Sequence, residues 1–410
     1  MNIAVFSHYF SPEIGAPSAR IHDMARQWIA MGHEVQVITC FPNHPTGQLY
    51  TGYRSGRYAA EIIDGITVHR NWTYITPNKG FVKKSVGHLS FWVSSRFLSL
   101  PRMKQPDVVI GTSPTFFAAM SAAAAAERFQ VPFIMEVRDL WPACFVDLGV
   151  IRNQRLIRLL ERWEVSLYRR ANHIVTVTSA FRDDLVRRSI PSKKITSIPN
   201  GADEEFWVPQ ERSGFLDQAA GGSRGFNVLY IGAHGISQAL IRILEAAREF
   251  KLCTDVRFFL IGEGAEKARL QILAGEMGLS NLHFLDPVDK DRVRACYADA
   301  DICLVPLRNI PLFRTFIPSK MFEMLAMGCP IVASVEGEAA GILEASGGAV
   351  VVPPEDSRSI AAAIRKIKSD PTLATTMGIR GRAFVVANYS RRALAARYIE
   401  VFSAANIDNR

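Results

Sequence analysis

Residues 309–334 read "NIPLFRTFIPSKMFEMLAMGCPIVAS", a short helical stretch that runs straight into an apolar strand. Pro318 suits a first helical turn and Ser319 a cap, while Gly328 and Pro330 end the helix. The run "PIVAS" shows no alternation of polar and apolar residues, so it predicts a strand buried on both faces. A helix feeding a doubly buried strand through a glycine turn is the repeating piece of a parallel sheet. Glu323 is the sole charged residue between Lys320 and Ser334, and its place among apolar neighbours has to be accounted for separately.

The same alternation extends in both directions. Expected strands in the first half are "NIAVFS", "EVQVITC", "ITVHR", "DVVIGTS", "FIMEVRD" and "HIVTVTS". The second half offers "FNVLYIG", "VRFFLIG", "LHFLD", "ICLVPL", "PIVAS" and "AVVVPP". Amphipathic stretches separate them, such as one with Ile21, Met24, Ala25, Trp28 and Ile29 on one face. A chain of 410 residues exceeds what one hydrophobic core serves. The expectation is an α/β protein of two doubly wound, Rossmann-like domains facing a central cleft, with the linker in the polar, Gly-rich segment near residues 200–225. Ligands of such sheets bind beyond the carboxyl ends of the strands.

Composition narrows the class. Apolar residues make up 48% and charged residues 21%, ordinary for a globular protein, and no run reaches the roughly 18 apolar residues a membrane span needs. The opening "MNIAVFSHYF" reads as a first strand rather than a signal peptide, which predicts a cytoplasmic protein. Six cysteines without ligand spacing read as reduced thiols rather than a metal set. The net charge of +9 is carried by residues 1–200, with 24 Lys and Arg against 14 Asp and Glu. No acid occurs between Asp64 and Asp107, where Arg70, Lys79, Lys83, Lys84, Arg96, Arg102 and Lys104 mingle with Phe81, Leu89, Phe91, Trp92, Phe97 and Leu100. Such a segment fits an anionic membrane surface, a core helix with a basic flank, or nucleic acid.

Candidate site residues cluster after strands. The loop "FSHYFSPEIGAPSAR" brings Gly15 and a helix start to the end of the first strand, a place for a phosphate or sugar hydroxyl. "MEVRDLWP" sets Glu136, Arg138 and Asp139 at another strand end; Glu136 reads equally as a cleft residue or a buried pair, and the other two as cleft residues. "LIGEGAEKARL" holds Gly262 and Gly264, but Lys267 stands where a dinucleotide fingerprint needs its third glycine. Asp299-Ala300-Asp301 has the spacing of a divalent-ion pair and reads here as a helix cap. For Glu323, the dipole of its helix returns roughly 0.3–1 kcal/mol, less than burial of an unpaired carboxylate costs. The two adjacent hydroxyls of a ribose match its two oxygens, and Arg314 and Lys320 suit a diphosphate.

At these residues the chain resembles a known family. "HYFSPEIGAPSARI", "DLWP", "SIPNGAD", "YIGAHGISQAL", "LIGEGAEKARL", "PSKMFEMLAMGCPIVAS" and "ANYSRRALAARYIEVF" occur in an order similar to that of retaining GT-B glycosyltransferases of family 4, most like the fucosamine-transferase-like branch that builds bacterial surface polysaccharides. The resemblance implies an acceptor-binding domain at 1–203, a nucleotide-sugar-binding domain at 204–385, and a terminal helix at 386–410 that crosses back to the first domain. It implies donor contacts from Gly15, Ala16, Gly232, Gly262, Gly264, Val288, Pro318, Ser319, Lys320 and Glu323, with Lys320, Arg314, Arg138 and Asp139 as the catalytic set. The donor is expected to be a UDP-sugar and the acceptor a polyprenyl-diphosphate-linked saccharide. Residues 79–104 would then meet the cytoplasmic face of the inner membrane, with no cofactor, metal or nucleic acid.

Three positions depart from the family pattern. Thr315 stands where the first of two paired glutamates belongs, Gln238 lies near the usual lysine, and "IGTSPTFFAAM" lacks the histidine many members carry. The diphosphate role therefore shifts to Lys320 and Arg314, and the leaving diphosphate itself is expected to help deprotonate the acceptor. The rival classes are a GT-B sugar-nucleotide epimerase, an NAD-dependent oxidoreductase and a non-catalytic lipid-bound scaffold.

Overall fold

The computed structural model describes every residue except 14, 45, 77–80, 114, 144–145, 147–150 and 409–410. It divides into two compact units, Met1–Pro199 with Arg391–Arg410, and Asn200–Ser390.

The described strands of the first unit are β1 (Asn2–Phe6), β2 (Glu34–Cys40), β3 (Tyr58–Ile63), β4 (Ile66–Asn71), β5 (Val108–Thr112), β6 (Phe133–Val137), β7 (His173–Thr176) and β8 (Ile195–Ser197). They form one sheet in the order β3-β4-β2-β1-β5-β6-β7-β8. All pair in parallel except β3 with β4. Among the described residues its helices before the last one are α1 (Ala16–Ala30), α2 (Phe81–Leu98), α3 (Phe116–Phe129), α4 (Gln154–Arg170) and α5 (Ser179–Arg187). Two strands, β3 and β8, extend the six expected. The edge strand β3 buries little of itself, and β8 is three residues long, so neither carries the apolar run that marks a central strand. Asp64 and Gly65 between β3 and β4 both take positive φ, the Asp-Gly signature of a tight hairpin.

The strands of the second unit are β9 (Phe226–Ile231), β10 (Val256–Ile261), β11 (Leu282–Leu285), β12 (Ile302–Pro306), β13 (Ile331–Ser334) and β14 (Ala349–Val352). Its helices are α6 (Phe215–Ala219), α7 (Ile241–Arg248), α8 (Lys267–Glu276), α9 (Lys290–Asp299), α10 (Lys320–Ala326), α11 (Glu338–Ser346), α12 (Ser357–Ser369) and α13 (Pro371–Asn388). All strands are parallel in the order β11-β10-β9-β12-β13-β14, the doubly wound order whose direction reverses between β9 and β12. Alternate residues of β9 enter opposite core layers, Leu229 and Ile231 on one face, Val228 and Tyr230 on the other.

The last helix, α14 (Arg391–Asp408), belongs to the first unit. Leu394, Ala395, Tyr398 and Phe402 pack on Ile21, Met24, Ala25 and Trp28 of α1, and the Trp28 indole donates to Ala395 O at 3.3 Å. Beneath this seam lies a buried polar lock. Arg20 Nε meets Glu136 Oε1 at 2.9 Å, its other nitrogens reach Pro199 O, Ile198 O and the Tyr398 hydroxyl, and Tyr398 donates to Glu136 Oε1. Thr112 donates to the second Glu136 oxygen at 2.9 Å. Of the two readings open for Glu136, the buried pair is the observed one. The Arg20 guanidinium holds the Glu136 carboxyl down to about 2 against the opposing effect of burial.

The segment expected to be a linker is tied to the second unit. The Asp299 carboxylate, at the end of α9, accepts from Ser213 N (2.6 Å), Gly214 N (3.0 Å), Leu216 N (3.0 Å) and Ser213 Oγ (2.8 Å). It therefore caps α6, not its own helix. Asp301 takes Arg212 at 3.0 Å and Asn227 N at 2.7 Å. Asp299→Ala strands those donors and is expected to cost about 1–3 kcal/mol. Tryptic cleavage after Arg212 and Arg224 should accelerate as the urea midpoint falls; unchanged cleavage would show that the segment is held by other contacts.

Candidate functional site

The carboxyl ends of β9, β10 and β12 converge where the strand order of the second sheet reverses. The β9 and β10 loops run hard against each other: Gly232 N bonds Ile261 O and His234 N bonds Glu263 O, both at 2.9 Å. A Cβ on Gly262 would lie 2.0 Å from Gly232 O, and one on Gly264 would lie 2.4 Å from His234 O. Gly262 also holds φ at +142°, so both glycines are needed for the loops to meet. Gly232 faces the site instead: a Cβ there would sit 3.3 Å from Lys320 Nζ.

Lys320 is the first residue of α10. Its ammonium lies 3.8 Å above the Tyr230 ring and donates to Ile231 O at 3.2 Å. Burial pushes it down to about 7, against the opposing pull of Cys303 and Glu323. One turn on, the half-buried Glu323 carboxylate receives the Tyr297 hydroxyl at 3.4 Å, while Met321, Phe322, Met324 and Leu325 are wholly buried. A half-buried cation over an aromatic face and a carboxylate beside it thus share one helical turn. The expected cap is not formed: Ser319 is helical and its side chain caps nothing. The carbonyls of Pro318 and Ser319 accept from Met321 and Phe322, so the helix begins as a tighter turn. Val288 is half-buried and packs on the core layer below.

Arg314 is placed differently. It sits in a 3-10 turn, Pro311–Thr315, exposed, with Nε 2.8 Å from Glu336 Oε2. It lines a shallow surface hollow with Leu307, Phe313 and Pro354. Among the described contacts, none brings Arg314 to Lys320 or Glu323. Thr315 Oγ1 closes its own turn on Leu312 O at 2.7 Å.

In the first unit, Gly15 (φ +156°) opens α1, whose first residue is Ala16. Arg138 donates to Pro17 O at 3.2 Å, binding the β6 loop to the start of α1. Ser113 Oγ holds that loop through Arg138 N (2.8 Å) and Asp139 N (3.2 Å). Burial lowers the Arg138 guanidinium and raises the Asp139 carboxyl to about 6, opposed by Arg138. Both side chains are half-buried at the strand ends.

Several residues of these sites carry no local sequence signal. Glu13 is buried, accepts from Asn43 N (2.8 Å), His44 N (2.9 Å) and Phe10 N (3.3 Å), and is pushed up to about 7 by burial. One acid in "SPEIG" looks like an ordinary turn. Tyr230 and Tyr297 lie in core runs, with no sign that they face Lys320 and Glu323. His234 is buried, with neither ring nitrogen bonded among the described residues, and burial holds it down to about 4.

Residues 15–201 match the family described as glycosyl transferase 4-like domain, and residues 225–370 match glycosyl transferases group 1. The chain is a GT-B glycosyltransferase. The enzyme is 26% identical to the putative colanic acid biosynthesis glycosyl transferase WcaI of Escherichia coli K12, over 89% of this chain and 92% of that one. Its fold matches sucrose-phosphate synthase of Thermosynechococcus elongatus, with a TM-score of 0.76 and 19% identity over 98% and 99% of the two chains. HepE of Anabaena, solved in complex with UDP-glucose, matches at 0.71 with 16% identity over 98% and 100%.

Proposed function

We propose that this glycosyltransferase moves an N-acetylated hexosamine or deoxyhexosamine from a UDP-sugar to a polyprenyl-diphosphate-linked saccharide, with retention, at the cytoplasmic face of the inner membrane during surface polysaccharide assembly. The observation that carries the donor half is the Lys320–Glu323 turn at the reversal of the second sheet. Lys320 meets the diphosphate as a partly desolvated cation, and the Glu323 oxygens accept from two ribose hydroxyls. Pro318, Ser319, Val288 and the glycine loops frame them. The bond from the sugar C1 to the diphosphate oxygen breaks as the acceptor oxygen bonds C1 on the same face; the acceptor proton passes to the leaving diphosphate. Cations stabilise the charge that grows there, and Arg314 joins Lys320 only by leaving Glu336. Gly15, Ala16, Arg138 and Asp139, all in the first unit, are the remaining residues that the family resemblance assigns to the reaction. WcaI, a putative glycosyl transferase of colanic acid biosynthesis, and HepE, solved in complex with UDP-glucose, support this reading. Lys267, in the third-glycine position, pairs with Asp286 at 2.8 Å and Glu263 at 3.3 Å, which disfavours the dinucleotide alternative.

The acceptor half rests on α2. Phe91 and Leu100 are buried, and Arg70 lies inside, on Glu61 at 2.6 Å; these three belong to the core rather than to a membrane contact. Val86, Leu89, Val93 and Phe97 are exposed, Phe97 by 68%, in a line flanked by Lys83 and Arg96. That is the pattern of a helix lying on an anionic bilayer. Lys79 and the side chains of Phe81 and Lys84 lie outside the described residues. No helix among the described residues is long and apolar enough to cross a membrane.

Thermal-shift titration with UDP, GDP, ADP, their sugars and NAD tests the donor assignment. UDP at about 100 times its dissociation constant should add about 2.7 kcal/mol, and Glu323→Gln should weaken it roughly tenfold or more by removing charge-assisted bonds. Stabilisation by NAD alone would overturn the proposal.

A further inference from the structure

We infer that the outer face of α4 is a second bilayer-contact surface, one that takes anionic phospholipid headgroups beside a strip of apolar side chains. The inference rests on the membrane reading of α2 and extends it to a helix that reading left out. The apolar residues of α4 divide into two sets. Ile157, Leu160, Leu167 and Tyr168 are buried, but Leu156, Leu159 and Trp163 are between 38% and 45% exposed. At about 100° per residue these three fall in a line within a ~60° arc, beside the buried face.

Arg155 and Arg162 each stand one residue before a member of the line, turned ~100° round the helix from Leu156 and Trp163 toward solvent. Arg158 and Arg169 are exposed as well, and Glu161 is the exposed acid of the helix. An apolar strip bordered by arginines matches the boundary between acyl chains and anionic headgroups, and a tryptophan at its end suits that depth.

The placement of α4 gives the second argument. Helix α3 packs against both α2 and α4. Ser95 of α2 bonds Ser121 of α3 at 2.9 Å, while Phe116 of α3 stacks with Trp163 of α4 at 6.4 Å. The exposed lines on α2 and α4 therefore belong to one helical layer over the first sheet, about 16–20 Å apart at ordinary helix spacings. Two strips carried by one layer can rest on a single surface, which one amphipathic helix alone does not define.

Flotation of the full chain with vesicles of phosphatidylcholine, alone or mixed with phosphatidylglycerol, tests the inference. The variants are Arg155→Gln with Arg158→Gln and Arg162→Gln, Leu156→Ser with Leu159→Ser, and for comparison Val86→Ser with Val93→Ser on α2. Neutralising three arginines should lower partitioning onto the anionic vesicles roughly 100-fold, at an unchanged melting temperature. Brominated acyl chains should quench the wild type more than Trp163→Phe. If α4 variants bind like the wild type while the α2 variant detaches, the α4 inference falls and the membrane reading of α2 survives. Wild type that floats with neither vesicle overturns both. Loss with α4 variants and not with the α2 variant leaves α4 as the contact and removes α2. Self-association or RNA retention through Arg155, Arg158 and Arg162 without lipid binding overturns the inference.

Discussion

Lys320→Ala is expected to weaken UDP binding by roughly 10- to 100-fold, the worth of one charge-assisted contact to a phosphate, with turnover falling at least as far. Isothermal titration of UDP and initial rates with donor in excess separate the two. Unchanged UDP affinity would sink the diphosphate role. Lys320→Met, which keeps most of the side-chain volume, guards against a packing artefact above Tyr230.

The pH dependence sharpens the test. Burial holds the Lys320 ammonium down to about 7 in the folded enzyme, against about 10.4 in an unfolded chain. Between those values the unfolded state binds more protons, so stability rises with pH across that window, and below about 7 the folded state carries the full cost of a charged buried group. Lys320→Met should therefore exceed wild type in melting temperature by most below pH 7, with the gap closing as pH climbs toward about 10.4. UDP affinity of the wild type should fall as pH rises through about 7, because the cation is lost, and Lys320→Met should show no such fall from that group.

Glu136→Ala should be the most destabilising of the substitutions considered, by about 3–5 kcal/mol, because it leaves the Arg20 guanidinium buried without its carboxylate. Urea unfolding followed by tryptophan fluorescence reads the loss directly, since Trp28 sits in the same seam. The Glu136 pKa is depressed to about 2. Its contribution is therefore complete above the unfolded value of about 4.3 and disappears as pH falls toward about 2. Glu136→Gln should flatten that part of the stability profile. An unfolding free energy within about 0.5 kcal/mol of wild type at neutral pH, the limit for an ordinary surface change, would mean the lock contributes nothing net.

Glu136 also shows how far a sequence goes. Its strand, "FIMEV", was legible because a short, mainly apolar run that follows a proline and ends in a charged turn fits a doubly buried strand. Its partners were not, since Arg20 lies 116 residues away and Tyr398 262 residues away, and only the packing of α1 and α14 against the sheet brings them together. The glycine loop "LIGEG" was visible as a turn after a strand, but whether its glycines face a ligand or another backbone depends on how closely β9 and β10 lie. Arg314 and Lys320 looked equivalent as cations near Glu323. Six residues apart, one is claimed by Glu336 at the surface and the other by Tyr230 inside.

By itself the sequence determined the class: two α/β halves, all six strands of the second sheet, and a single carboxylate set one turn into an apolar helix. Those features are local, written in runs and periods a few residues long, and each segment can satisfy them alone. Tertiary structure alone decided which polar groups act together. Pairing, desolvation and the close approach of loops depend on residues far apart in the chain, and no local pattern encodes which of two equivalent cations will lose its water.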